Sequence, residues 1–224
     1  STISALSQGM YEGDLPFSEL KKHGDFGLGT FNNLDGEMIA LNGKFYQAKT
    51  DGYLYPVALK KTLTPFSEVV FFKPDRTKKI DQASNQTEIK AMIDSCLRSK
   101  NLFYAIKVVG HFSSIKVRSV PAQTKPYPTL DEAVKGQVVF DLDDTEGTLI
   151  GFWCPSYAEK INVPGYHFHF ISKDGTRGGH VLDFTVTKAE IMVDEKQDVV
   201  LALPSTENFY LVDTAKESQN LAEK

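Results

Sequence analysis

Three histidines lie close together in the segment GYHFHFISKDGTRGGHVLDF, and their spacing favours a metal site. Side chains alternate between the two faces of a strand, so His167 and His169 point to the same side while the phenylalanines beside them pack on the other. Three glycines within 173–179 predict a reversal of direction, which brings His180 alongside the pair on the next strand. Three imidazole nitrogens converging from one side suit a divalent metal, with a position left for water or substrate.

Zinc, one ion per chain, is the metal that we expect first. Imidazole also suits iron, nickel and copper, and zinc leads because it is available and has no redox chemistry. Histidines separated by one residue also occur in cupins and carbonic anhydrases. Cupins usually add a glutamate shortly after the pair, where this chain has Lys173 and Asp174. Packing or surface histidines remain the alternative, and the pattern alone predicts a three-histidine metalloenzyme without naming a reaction.

Two further charged residues could take part in chemistry. Glu37 follows an Asp-Gly turn and shares a strand face with Ile39, and desolvation on such a face raises a carboxyl pKa toward the range of a proton donor. Arg118 lies in the strand-like segment SIKVRSVP, where a guanidinium could clamp an anionic substrate through two parallel hydrogen bonds. The alternative for each residue is an ordinary solvated charge at the end or on the surface of a strand.

Composition limits the partners and the location. The 224 residues carry 29 acidic and 25 basic side chains, a net charge of −4, with no basic block that would bind nucleic acid. No apolar stretch reaches the ~20 residues of a membrane helix, and the first ten residues do not read as a leader. Cys96 and Cys154 are too few for a disulfide framework, so we expect free thiols and a cytoplasmic location.

The periodicity predicts an α+β fold with mostly antiparallel or mixed β-sheets and a few helices, in which two β-rich halves form one compact unit. Alternation of period two dominates from Phe26 onward, and Asn42-Gly43 predicts a type I′ hairpin. FYAIKVVG with SIKVRSVP, and VVFDLDD with TLIGFWCP, predict two more hairpins. HVLDFTV, AEIMVD and DVVLALP predict separate strands.

Three prolines in 121–128 suggest a division into an N-terminal half, residues 1–121, and a C-terminal half, residues 122–224. The N-terminal half contains a helix predicted over 87–99, where apolar residues recur every three or four positions. The C-terminal half carries the metal site and a tail.

With these residues in view, the chain resembles the alpha-acetolactate decarboxylase family over nearly its full length. The resemblance implies that His167, His169 and His180 bind zinc, and that Glu37 and Arg118 lie in the active site. It also implies a second active-site glutamate in the tail, which would be Glu223, Glu217 or a residue beyond 224. The matching segments are HGDFGLGTFNNLDGEMIALNGKFYQAKTDG, NLFYAIKVVGHF, VRSVPAQTKPYPTL and GTLIGFWCPSYAEKINVPGYHFHFISKDGTRGGHVLDF.

The reaction that the resemblance implies is decarboxylation of 2-acetolactate (2-hydroxy-2-methyl-3-oxobutanoate) to (R)-acetoin and carbon dioxide, in a homodimer. Our hypothesis is that the metal chelates the hydroxyl and ketone oxygens and stabilises the enediolate. Arg118 then orients the carboxylate, and Glu37 or a tail glutamate delivers the proton. The alternatives are a zinc hydrolase that uses a metal-bound water, a non-enzymatic metal-binding module, and a lysine Schiff-base decarboxylase.

Overall fold

The computed structural model of this chain describes residues 1–215, and they form antiparallel sheets with a few short helices. The predicted α+β class, rich in antiparallel strands, is confirmed. The α-helices are α1 (Ile3–Ser7), α2 (Phe17–Leu20), α3 (Gln86–Asp94), α4 (Leu130–Ala133) and α5 (Glu207–Leu211). The strands are β1 (Leu15–Pro16), β2 (Phe26–Thr30), β3 (Glu37–Leu41), β4 (Lys44–Ala48), β5 (Leu54–Pro56), β6 (Leu63–Thr64), β7 (Ser67–Val70), β8 (Arg76–Ile80), β9 (Ser84–Asn85), β10 (Phe103–Ser119), β11 (Val138–Cys154), β12 (Gly165–Ser172) and β13 (Gly178–Lys196).

A five-stranded sheet has the order β5-β4-β3-β2-β7, with every neighbouring pair antiparallel. The predicted hairpin between β3 and β4 is confirmed. Asn42 and Gly43 at its turn have φ values of 51° and 72°, the left-handed conformation that a type I′ turn requires at both positions. A separate short ladder joins β1 to β6.

The six-stranded sheet contains a ring of four strands. β10 pairs with β11 along one edge and with β13 along the other, and β12 lies between β11 and β13. β9 and β8 pair with β13 further along, at residues 185–186 and 189–193, on the edge that β10 does not occupy. Because faces alternate along each strand, the ring presents one set of side chains to its own core and the other set to the five-stranded sheet.

Two of the predicted hairpins are wrong, because their segments form single long strands. FYAIKVVG and the residues SIKVRS both belong to β10, and VVFDLDD and the residues TLIGFWC both belong to β11. Register shifts around Phe112, and a left-handed Asp144 at φ 50°, bend these strands without reversing them. Ladders on both sides of β10 hold the chain extended through the bulge. HVLDFTV and AEIMVD likewise join in β13.

Two predicted segments differ from the structure. The helix predicted over 87–99 corresponds to α3, but α3 ends at Asp94. Beyond it, the N–H groups of Cys96 and Leu97 donate to carbonyls three residues back, so the chain tightens and the α-helix does not continue. Asn85 caps the start of this helix together with Glu88 in a capping box. DVVLALP forms no strand, since no ladder pairs with it, and Val200 is 90% exposed.

The two sheets pack face to face over a shared apolar core. No helix within residues 1–215 is long and apolar enough to cross a membrane. The division near residue 121 stays a prediction, and the six-stranded sheet takes strands from both sides of that position.

The apolar core that the two sheets share consists of Phe26, Leu28, Ile39, Ala48 and Leu54 from the five-stranded sheet and Ala105, Ile150, Phe152 and Ile171 from the six-stranded sheet.

Candidate metal centre

The three histidines of the predicted cluster come from two adjacent strands and do lie together. His167 and His169 share a face of β12, and His180 on β13 is paired directly with His169. The ring centroids are 4.9 to 5.3 Å apart. One nitrogen from each ring lies within 4.8 Å of the others, so the set could hold a metal ion.

Hydrogen bonds orient the rings and leave nitrogens available. The Nδ1–H of His169 donates to the main-chain carbonyl of Met38 on β3 at 2.8 Å, so its Nε2 is the nitrogen with a free lone pair. That Nε2 and the Nδ1 of His167 are buried and have no hydrogen-bond partner within residues 1–215. The Nε2 of His167 lies 3.1 Å from the Nδ1 of His180. The bond from His169 to the carbonyl of Met38 is of a kind common in metal-binding histidines, which donate the ring N–H that does not face the metal to a carbonyl.

Burial keeps the three imidazoles neutral. It lowers the pKa of His167 to about 3, and it holds the pKa values of His169 and His180 well below their ordinary range. The positive charge of Arg118 lowers all three pKa values further. Neutral imidazole is the form that binds metal, so the cluster needs no deprotonation near pH 7.

Glu37 begins β3 and faces the histidines from the opposite sheet. Its side chain is buried, with Oε2 at 3.6 Å from the Nε2 of His169 and Oε1 at 3.7 Å from the Nη1 of Arg118. Both distances are too long for hydrogen bonds. Burial raises the pKa of Glu37 to about 7, although Arg118 opposes the shift. The carboxyl can therefore hold or release a proton near neutral pH.

Arg118 lies on β10, where it is paired with His180 of β13, so its side chain shares the face of the cluster. Its guanidinium is mostly buried and makes no hydrogen bond to any of residues 1–215, and its Nε is fully buried. Desolvation lowers its pKa, yet an arginine stays cationic at any physiological pH. The donors of Arg118 are thus available to an anionic ligand at the cluster.

Sequence reasoning missed a second acid on this face of the five-stranded sheet, the partly buried Glu68 on β7. Leu28 is paired with both Ile39 and Glu68, which places Glu68 on the same face of the five-stranded sheet as Glu37. The side chain of Asn162 donates to one of its oxygens, and the other oxygen is buried without a hydrogen-bond partner in the described part of the chain. Burial raises the pKa of Glu68 to about 8. The signal was present in SEVVFFK, where the glutamate alternates onto the same face as apolar Val70.

Other candidate residues lie elsewhere. Cys96 and Cys154 are free thiols, as predicted. Glu217 and Glu223 lie outside the described residues.

A cavity of about 810 Å³ opens between the β3–β4 turn and His111, and none of the residues that line it belongs to the histidine cluster.

The fold and the cluster together define the class of the molecule: an α+β protein whose two sheets enclose three neutral imidazoles, a carboxyl that can be protonated near pH 7 and an arginine with free donors. Such a set can hold a metal ion next to an anionic ligand and a proton source. Comparison with known proteins gives this class a family.

The family model described as alpha-acetolactate decarboxylase matches residues 1–215. The alpha-acetolactate decarboxylase of Methanosarcina mazei is 48% identical over 223 residues, 100% of this chain and 76% of that protein. The enzyme of Bacillus licheniformis is 43% identical over 96% of this chain and 85% of its own length. The chain belongs to the alpha-acetolactate decarboxylase family. The predicted resemblance is confirmed, as is the prediction that the chain is an enzyme.

Solved structures of similar proteins agree with this fold. The crystal structure of alpha-acetolactate decarboxylase from Bacillus subtilis strain 168 superimposes with a TM-score of 0.96 at 40% identity, covering 100% of this chain and 97% of that one. The structure from Bacillus subtilis subspecies spizizenii gives a TM-score of 0.93 at 44% identity, with coverages of 96% and 92%.

Proposed function

We propose that this chain converts 2-acetolactate to (R)-acetoin and carbon dioxide, with one zinc ion held by His167, His169 and His180. The observation that carries the proposal is the arrangement of these neutral imidazoles beside the protonatable Glu37 and the guanidinium of Arg118, which makes no hydrogen bond to any of residues 1–215. Membership of the family supports the choice of substrate.

The residues present fit a metal of this kind. The donor set is three imidazoles, which suits zinc, and two of the buried nitrogens lack a hydrogen-bond partner in the described chain. The carbonyl of Met38 fixes the tautomer of His169 so that its Nε2 faces the cluster. When bound, the metal supplies Lewis acidity for the negative charge that develops on the substrate oxygens as carbon dioxide leaves.

Arg118 binds the carboxylate of the substrate in this proposal. Arg118 is paired with His180, and the neighbouring Glu37, with a pKa raised to about 7, becomes mostly neutral as the pH falls below that value and then does not cancel the positive charge of Arg118. A planar cation with two parallel donors holds a carboxylate in one orientation. Arg118 therefore selects a substrate that carries its leaving carbon dioxide as a carboxylate.

Glu37 delivers the proton that replaces carbon dioxide. The carboxyl is held at the start of a paired strand, 3.6 Å from His169, so it approaches a substrate at the cluster from one side only. Loss of carbon dioxide leaves an electron pair on carbon, and transfer of the Glu37 proton to that carbon gives acetoin and the Glu37 carboxylate. Delivery to a single face gives a single enantiomer.

We also propose a role for the tail, an oligomeric state and a location. We expect a tail glutamate, Glu217, Glu223 or a residue beyond 224, to assist protonation. We expect a homodimer, which light scattering would detect as twice the 25.0 kDa mass of one chain. We expect the enzyme to act in the cytoplasm, which fits its two free thiols.

The test is acetoin formation from racemic acetolactate by the purified protein, before and after chelation and after zinc is added back, with chiral analysis of the product. Loss and recovery of (R)-acetoin formation would support the reaction and the metal together. Turnover that resists complete metal removal would contradict the metal role. Hydrolysis of ester or amide substrates without release of carbon dioxide would favour the zinc hydrolase instead.

A further inference from the structure

The loop that precedes Glu37 has an unusual backbone. Asn33 and Leu34 have φ values of 63° and 56°, and Gly36 has a φ of 81°. Glycine adopts this left-handed conformation freely and asparagine tolerates it, whereas a leucine keeps it only where the surroundings enforce it. Three such residues within four positions, directly before a residue of the candidate site, call for a structural cause.

Three hydrogen bonds hold Asn33 in place. Its N–H donates to the carbonyl of Tyr11 at 2.8 Å, and its carbonyl accepts from the N–H of Gln123 at 2.7 Å. Its side-chain Oδ1 accepts from the hydroxyl of Tyr127 at 2.5 Å. Tyr127 is the residue between two prolines in the 121–128 segment, and its ring packs edge-on against Tyr11 at 5.3 Å.

The loop is fixed equally firmly at its other end, next to Glu37. The N–H of Gly36 donates to the carbonyl of Val120 at 3.0 Å, and its carbonyl accepts from the hydroxyl of Thr30 at 2.7 Å. A Cβ atom at position 36 would lie 2.2 Å from the carbonyl oxygen of Ala48, so only glycine allows the main chain to come this close to β4. Hydrogen bonds at Asn33 and at Gly36 thus fix both ends of the short segment that leads into Glu37.

We propose that Tyr127 and Asn33 are positioning residues, which hold the loop 33–36 so that the Glu37 carboxyl faces His169 and Arg118. The hydroxyl of Tyr127 fixes the side chain of Asn33, and Asn33 in turn fixes the left-handed turn that starts β3. This assignment gives the proline-rich segment 121–128 a role in the active site, although none of its residues belongs to the histidine cluster. It rests on the proposed function of Glu37 as the proton donor.

The test compares Asn33→Gly, Asn33→Asp and Tyr127→Phe in the zinc-loaded enzyme. Glycine and aspartate both tolerate a positive φ, but only aspartate keeps an oxygen that can accept from Tyr127. Asn42→Gly is the matched control, because Asn42 is also left-handed at φ 51° and is exposed in the β3–β4 turn. The readouts are kcat, KM, the enantiomeric excess of acetoin and the zinc content.

We expect Asn33→Gly and Tyr127→Phe to lower kcat about 10- to 100-fold and to reduce the enantiomeric excess, with KM and zinc content near those of the parent. Asn33→Asp should restore most of kcat, and Asn42→Gly should match the parent. Parent-like kcat and enantiomeric excess in both Asn33→Gly and Tyr127→Phe would overturn the positioning role, as would failure of Asn33→Asp to restore kcat.

Glu37→Gln, measured in parallel, separates this inference from the function on which it rests. If Glu37→Gln is inactive while Asn33→Gly and Tyr127→Phe are fully active, only the positioning role fails. If Glu37→Gln is itself fully active, the proton-donor role of Glu37 fails, and the positioning role fails with it. Melting temperatures of all variants identify any that lose the fold, and a loss of fold would lower zinc content and kcat together.

Discussion

The imidazole of His169 on β12 is oriented by the main chain of Met38 on β3, through a hydrogen bond of 2.8 Å that crosses from one sheet to the other. The residue next to Met38 is Glu37, whose carboxyl lies 3.6 Å from the other nitrogen of the same ring. One strand of the five-stranded sheet thus contributes both the partner that orients a candidate ligand and the acid beside it. Met38 and Glu37 therefore meet His169 only because the five-stranded sheet packs on the six-stranded sheet in this alignment.

Removal of any one of the three histidines should remove the metal. We expect His167→Ala, His169→Ala and His180→Ala each to lower zinc affinity by at least ~100-fold, because two imidazoles cannot replace a three-nitrogen site. His23→Ala is the control, since His23 is exposed and lies outside the cluster. Zinc content after dialysis, measured by mass spectrometry, checks the prediction. Full zinc content in all three variants would mean that the metal binds elsewhere.

Glu37→Gln should abolish the chemistry and leave the metal in place. An amide cannot deliver the proton, so kcat should fall about 100- to 10,000-fold, the usual contribution of a general acid. Burial raises the pKa of Glu37 to about 7, and a group that must be protonated supports turnover below its pKa and loses it as the pH rises. Glu159→Gln, an exposed change of the same kind, is the control. The pH dependence of kcat, with zinc content measured alongside, is the readout.

Arg118→Lys should weaken substrate binding more than it slows the bound substrate. A lysine keeps the charge but loses the planar pair of donors, so we expect KM to rise about 10- to 100-fold, equivalent to the ~1.5–3 kcal/mol of a charged hydrogen bond. Lys116→Ala changes an exposed cation on the same strand and should leave KM unchanged. An unchanged KM in Arg118→Lys, with the fold intact, would argue against carboxylate binding by this residue.

Glu68→Gln should stabilise the protein at alkaline pH. Burial raises the pKa of Glu68 from 4.5 to about 8, so below pH 4.5 the carboxyl is protonated in the folded and the unfolded chain alike. As the pH rises from 4.5 to 8, only the unfolded chain releases the proton freely, and the folded state loses stability. Glutamine can keep the hydrogen bond from Asn162 without this penalty.

We therefore expect Glu68→Gln to raise the free energy of unfolding at pH 8 by about 1–3 kcal/mol, which is the usual cost of a buried polar group that lacks a partner. At pH 4.5 the substitution should change the free energy of unfolding little. Denaturant titrations at the two pH values measure the difference, and Glu159→Gln again serves as the exposed control. An equal effect at both pH values would show that packing, and not ionisation, is responsible.

Local patterns in the chain were sufficient for some elements and failed for others. The β3–β4 hairpin follows from Asn42 and Gly43, because the turn conformation is set by those two residues themselves. The same patterns wrongly predict hairpins within the long strands β10 and β11, because the irregularities around Phe112 and Asp144 resemble turns until the ladders on neighbouring strands are known. DVVLALP has the composition of a strand, and strand formation also requires a partner edge.

The sequence by itself determined the donor set. His167 and His169 share a face because strand geometry alternates, and the glycines before His180 bring the chain back, so local rules alone predict three converging imidazoles. The family also followed from the sequence, because unusual strings occur in order along the chain. The resemblance also implied Glu37 and Arg118, but only the tertiary structure decided how these groups meet the histidines. Glu37, Arg118 and the carbonyl of Met38 arrive from strands far apart in the chain, and burial between two sheets sets their charge states, since desolvation depends on what surrounds a group in space.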